Sequence, residues 1–231
     1  MRVILLIAVL LIPVSLSSNY FTDKDLETIQ SNMDAYQYAE NLTDVPVLLL
    51  AAIHYRESGL HKGYYSRKRK KVIKNIGGPF MLDYGPLNDH KEFARRIRAH
   101  EAKVHKLYKL DGPVAKISHN FKFASLVAAH HIKLKTRKRF KGKERLADAV
   151  WGYNGRASWH VLEKGDKPSH INSSYVWSDP LRNHKMPAQY RDKHKRLVKY
   201  MDSRAGVMVL YKELNEVFNA SYSLRSTNIL P

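Results

Sequence analysis

The chain has 231 residues, 44% of them hydrophobic and 10% aromatic, enough apolar material for one sizeable core, which excludes a disordered tail. Cysteine is absent, which removes thiol nucleophiles, cysteine-ligated zinc and disulfides together. With 40 Lys and Arg against 21 Asp and Glu, the formal net charge is +19, and such a surface seeks polyanions.

The first residues, MRVILLIAVLLIPVSLSS, combine a basic start at Arg2, an apolar run from Val3 to Leu16 broken by Pro13, and small residues at Ser15 and Ser17 suited to processing. That order predicts a signal peptide or export helix over residues 1–17, followed by a single domain over residues 18–231 with a basic C-terminal extension. The apolar run is shorter than the roughly 20 residues of a spanning helix, so membrane contact is expected only through this segment. The body is expected to be exported, periplasmic or secreted, and monomeric. Nucleic acid is the usual partner of such a charge, and the runs Arg67 to Lys71 and Lys133 to Arg145 would serve it. Export argues against that partner and points to anionic cell-envelope polymers. Twelve histidines invite a metal, but there is no HExxH pattern, and the adjacent His130 and His131 lie about 100° apart on a helix. Neither a metal nor another cofactor is expected.

In chain order, Asn19 to Asn41 predicts a first helix with Leu26, Ile29, Met33, Tyr36 and Ala39 inward. Val45 to Gly59, VPVLLLAAIHYRESG, predicts an apolar helix capped by Thr43 or Asp44, with Pro46 in its first turn and Gly59 as terminator. At about 100° per residue Glu57 falls near Leu50 and Ile53, on the face expected to be buried. Burial and the negative end of the helix dipole both disfavour its anion, so its pKa is expected to rise. Two roles fit: ion-pair partner of Arg56, His54 or His61, or general acid protonated near neutral pH.

After Gly59 a long glycine-bearing connection suggests a flap or short hairpin beside a cleft. Within it Gly77, Gly78 and Pro79 make a turn that can bring backbone close to a ligand, or serve as an ordinary surface turn. Asn88 or Asp89 can cap a helix reaching about Leu110, with Phe93, Ile97, Val104 and Leu107 or Tyr108 on one side. Val114 to Phe140 predicts another, with Phe121 or Ala124, Val127 or Ala128 and His131 or Leu134 inward and a densely basic end. Glu144 to Gly155 predicts a short helix with Leu146, Ala149, Val150 and Tyr153 inward. Arg156 to Tyr190 is polar and irregular and carries Trp159 and Trp177, aromatics that suit either a core or a sugar face. Elements over Arg191 to Tyr200 and Gly206 to Phe218 close a mostly α (α+β) domain.

Three separated signals occur in order: AIHYRESGL with Glu57 and Ser58, GGPFMLD from Gly77 to Asp83, and AVWGYNG from Ala149 to Gly155. Together they resemble the lytic transglycosylases and goose-type lysozymes of the lysozyme-like superfamily (SLT-type domain). In that family a helix ends in Glu-Ser, a glycine-led "GLMQ" or "GPFQ" hairpin follows, and a later helix ends in "AYN-G". SSYVWSD, Ser173 to Asp179, is similar to the family's later Tyr-Val motif. The resemblance spans roughly Val45 to Asp179.

It implies a lysozyme-like domain with a small hairpin beside the catalytic helix. The activity implied is cleavage of the β-1,4 bond between N-acetylmuramic acid and N-acetylglucosamine in peptidoglycan glycan strands. Glu57 would be the general acid/base, and Ser58 would position substrate or the acid. Gly78, Pro79, Phe80 and Met81 would line the sugar cleft, Tyr153 and Asn154 would hold substrate groups, and Tyr175 would sit near the Glu57 carboxylate. Stabilisation of the oxocarbenium-like centre would come from the substrate's own N-acetyl group or from Asp83 as a second carboxylate. The family's hairpin Gln is Met81 here, which puts cleft specificity in question. It also leaves open a non-catalytic cationic wall- or nucleic-acid-binding protein that keeps the fold. Both a bacterial and a phage origin fit, the latter with a virion- or lysis-associated protein.

Overall fold

The two most apolar stretches of the chain become its innermost helices. The computed structural model describes residues 18–61, 77–82, 90–154, 174–177 and 205–227. Helix α3 (Val47–Ser58) buries every residue from Leu49 to His54, and α5 (Phe121–Lys135) every residue from Phe123 to Ile132. Helices apolar on all sides belong inside a core. Around α5 pack α2 (Met33–Thr43), α4 (His90–Leu107) and α6 (Gly142–Tyr153), and α3 touches both α2 and α5. The chain begins with α1 (Asp23–Ser31) against α2, and the long α8 (Val207–Thr227) lies on α3 and on the single turn α7 (Ser174–Trp177). Val207, Leu210 and Leu214 are buried, so this last helix belongs to the core.

Several boundaries differ from the sequence expectation. The single helix expected over Asn19 to Asn41 is two, α1 and α2, broken at Asn32, whose N–H bonds back to Ile29 at 3.1 Å. Ser31 and Asn32 are short polar residues that favour helix ends over interiors. Ile29, Tyr36 and Ala39 are nevertheless buried, as the periodicity requires. Thr22 and Asp25 form a capping box at the start of α1.

Neither Thr43 nor Asp44 caps α3. Asp44 closes α2 with φ 63°, the Thr43 hydroxyl bonds back to the Ala39 carbonyl at 2.7 Å, and Pro46 becomes the N-cap. At the other end Gly59 terminates α3 as expected, in the left-handed region at φ 62°.

Helix α5 is shorter than Val114 to Phe140. Asn120 caps its start by accepting from the Phe123 N–H at 2.9 Å, and Thr136 ends it with its hydroxyl on the Ile132 carbonyl at 2.8 Å. Leu107 and Leu134, offered as inward alternatives, are 54% and 56% exposed, while Val104 and His131 are buried. Helix α4 stops at Leu107, α6 begins two residues before Glu144, and α8 continues beyond Phe218. The caps Asn88 and Asp89, the terminator Gly155, Trp159, the element over Arg191 to Tyr200 and the flanks of the expected hairpin lie outside the described residues. Among the described residues there is no strand, and no helix is long and apolar enough to cross a membrane.

A polar strut joins the segment just after α5 to α6. The side chain of Asp148 is fully buried and accepts from the Arg137 backbone N–H and Nε, each at 2.8 Å, and from Nη2 at 2.5 Å. The guanidinium also lies over the rings of Phe140 at 5.0 Å and Trp151 at 5.4 Å. Because that guanidinium is 32% exposed, Arg137→Ala is expected to cost about 2 kcal/mol, below the roughly 3–5 kcal/mol of a fully buried pair. Urea unfolding checks this: the midpoint should fall while the slope stays unchanged.

Candidate active site

Glu57 stands in the last turn of α3, half-buried, where the helix leaves the core. Tyr175 approaches it from α7 and donates its hydroxyl to Glu57 Oε1 at 2.5 Å. The Arg56 guanidinium lies 5.5 Å from the centre of the Tyr175 ring. Burial, above all, pushes the Tyr175 hydroxyl well above the usual phenol range; the Glu57 charge, Tyr153 and the hydrogen bond to Glu57 push the same way, against Arg56. Tyr175 therefore stays protonated and acts as a donor to the carboxylate.

The Gly77 to Leu82 segment is a tight turn closed by the Leu82 N–H on the Gly77 carbonyl at 3.0 Å and the Met81 N–H on the Gly78 carbonyl at 3.2 Å. Gly78 has φ 65°, and a Cβ there would lie 3.3 Å from both Ile117 Cγ1 and the Ile117 carbonyl oxygen, so conformation and space both ask for glycine. Phe80 is buried, its ring 5.0 Å from His54 and stacked at 6.0 Å on Phe121. The Tyr153 hydroxyl, from the end of α6, donates to the Phe80 carbonyl. Behind the turn, buried Glu101 accepts from the Ile117 N–H at 2.8 Å, and burial raises its carboxyl above the usual range.

The cations named beside Glu57 are engaged elsewhere in part. His54 Nδ1 meets the Tyr36 hydroxyl at 2.7 Å and its Nε2 the His61 carbonyl at 3.0 Å. The Ser58 hydroxyl bonds the His54 and His61 carbonyls, each at 3.2 Å, and so ties the helix end to the residues after it. Thus Glu57 and Tyr175 meet, as do Phe80 and Tyr153. Gly78, Pro79 and Phe80 are buried, Met81 is half-exposed with φ 49°, and Asn154 is exposed at the end of α6. Asp83 lies outside the described residues.

Arg56, named from the sequence only as an ion-pair partner for Glu57, also faces the Tyr175 ring, while no local sequence pattern marks Glu101 or Ile117. His100, His130 and His131 cluster between α4 and α5, with His100 and His131 pushed down to about 4 chiefly by burial. Among the described residues, no group of three or more His, Cys, Asp or Glu is arranged to hold a metal ion. Trp177, two residues after Tyr175, is half-buried and lines a cleft of about 1020 Å³ with Tyr20, Leu146, Met208 and Tyr211. No protein-family model, no curated protein and no solved structure matches the chain.

Proposed function

We propose that the chain is a peptidoglycan-cleaving enzyme of the muramidase or lytic transglycosylase type, with a lysozyme-like domain and Glu57 as its general acid/base. The observation that carries this reading is the Tyr175 hydroxyl on the Glu57 carboxylate, 118 positions apart in the chain. Tyr153 and Phe80, from the two intervening motifs, are joined in the same way. Four segments whose only common signal was a family-like order therefore meet in two contacts, one of them on the carboxylate.

Glycosidic cleavage needs a proton for the leaving oxygen and stabilisation of an oxocarbenium-like centre. Glu57 supplies the first when protonated. Once it has given up the proton, Tyr175 donates to the resulting anion, and the same carboxylate can then act as base on the substrate hydroxyl or on water. The substrate's N-acetyl group supplies the second requirement in a single-carboxylate route, which we favour because the family resemblance is strongest around Glu57. The half-exposed Met81 side chain offers apolar surface to a sugar ring. Isolated peptidoglycan incubated with the protein should clear and release muropeptides, whose masses distinguish anhydro ends from reducing ends by the mass of water. A folded protein that releases no fragments would overturn the assignment and leave a binding protein.

The charge of +19 makes a separate prediction. Binding to walls should weaken steeply between low and high salt, since exposed charges are screened beyond about 8 Å at physiological ionic strength. Binding to small uncharged chito-oligosaccharides should change little. Co-sedimentation across a salt series checks both; wall binding indifferent to salt would remove charge as the source of affinity.

A further inference from the structure

On α8, far in sequence from the motifs above, a buried carboxylate gathers the first described residues of the chain. Glu213 is 8% exposed, and its Oε1 accepts from the Ser18 hydroxyl and, at 2.8 Å, from the Tyr20 N–H. Ser18 Oγ accepts in turn from the Phe21 N–H at 2.9 Å. The Tyr20 carbonyl accepts from the Tyr55 hydroxyl at 2.8 Å, and the Phe21 ring lies 4.6 Å from that of Tyr55. Tyr55 precedes Glu57 by two residues on α3, so this anchored segment braces the helix that carries the candidate acid.

A buried carboxylate is costly unless its charge is matched, and two neutral donors offset only part of that cost. Among the described residues no side-chain cation pairs with Glu213. Lys212 on the same helix reaches Glu216 at 3.4 Å, and Lys143 of α6 lies over the Trp177 ring at 5.5 Å. The chain's own amino terminus is a cation that can reach. The α-nitrogen of Ser18 is three bonds from an Oγ already on Glu213, and hence within about 4 Å of that hydroxyl.

We propose that hydrolysis of the Ser17–Ser18 bond makes Ser18 the first residue of the mature protein and that its new ammonium pairs with Glu213. An endopeptidase of the export route would read the small residues Ser15 and Ser17. Water's hydroxyl goes to the Ser17 carbonyl carbon and its proton to the Ser18 nitrogen. The acid so formed loses its proton and the amine takes one up, leaving a carboxylate on the released peptide and an ammonium on the protein. The inference rests on the export segment and not on glycan cleavage.

A free α-amine titrates at about 7.7–8.0, and pairing with Glu213 raises its value in the folded protein. The stabilisation is therefore complete below the free value and is lost as pH rises through the raised one. The other ionisable groups around Glu213 are Tyr20, Tyr55, Tyr211, Lys143, Lys212 and Glu216.

The test compares the exported, processed protein with unprocessed full-length chain made by cell-free synthesis, each as wild type and as Glu213→Gln. The substitution keeps the acceptor for Ser18 and Tyr20 and removes only the charge. Mass spectrometry of the exported protein should begin at Ser18. In that form the substitution should lower Tm by about 4 °C near pH 6.5 and by less than about 1 °C near pH 9.5. In the unprocessed chain it should change Tm by less than about 1 °C at either pH. A mature protein starting elsewhere, or a Tm loss equal in both forms or at both pH values, would overturn the proposal. Wall cleavage is not among these readouts, so either proposal can fail without the other.

Discussion

Glu57→Gln is expected to leave a folded, wall-binding protein whose glycan cleavage has fallen by roughly 10²–10⁴, the worth of a positioned acid/base in a reaction that needs one. The amide has the carboxyl's shape, and its oxygen can still accept from Tyr175, so the contact between α3 and α7 persists. What it lacks is the proton. Thermal unfolding within about 1 °C of wild type establishes that the fold is retained, and sedimentation with walls reports binding apart from chemistry. Tyr175→Phe keeps the ring beside Arg56 but removes the donor, and activity should fall by a smaller factor of roughly ten, the worth of one hydrogen bond to a charged group. Full cleavage by a correctly folded Glu57→Gln protein would sink the assignment of this site.

The sequence located Glu57 for a reason that only partly holds. Its angular position on α3 pointed to a buried face, but α3 is buried on every side from Leu49 to Ile53, so it has no single inner face from which to measure. Glu57 is half-buried because it lies in the last turn. His54 was named as a cation beside it, yet its ring is held by Tyr36 of α2, a contact that depends on how two helices cross and leaves no trace in local spacing. The glycine-led turn is expected from sequence to bring backbone close to a ligand or to be an ordinary surface turn; in the structure the neighbour it approaches is Ile117, set by Glu101 of α4. Helix existence followed from apolar periodicity; apart from Gly59 at the end of α3, helix ends did not. Asp44 and Thr43 suit a start of α3 as well as an end of α2, and only the packed chain chooses between them.

Gly206→Ala is expected to cost about 3 kcal/mol and to lower Tm by roughly 6–12 °C, with cleavage falling further than stability alone accounts for. Gly206 is the last residue before α8, and its carbonyl accepts from the N–H groups of Val209 and Leu210, each at 3.0 Å, so its position is fixed by that helix. Its backbone is not in the left-handed region, so space is the sole obstacle. A Cβ there would lie 2.6 Å from the Val176 carbonyl carbon and oxygen and from the Trp177 nitrogen. All three are backbone atoms of α7 and cannot rotate aside as a side chain would. Either α7 moves or the start of α8 does. Because α7 carries Tyr175, a shift of a few tenths of an ångström in α7 is transmitted to the hydroxyl that meets Glu57. Cleavage measured well below the lowered Tm, per mole of folded protein, separates this displacement from unfolding. A Gly206→Ala protein with wild-type Tm and full cleavage would mean that α7 does not lie against α8, and the Tyr175 contact with Glu57 would fall with it.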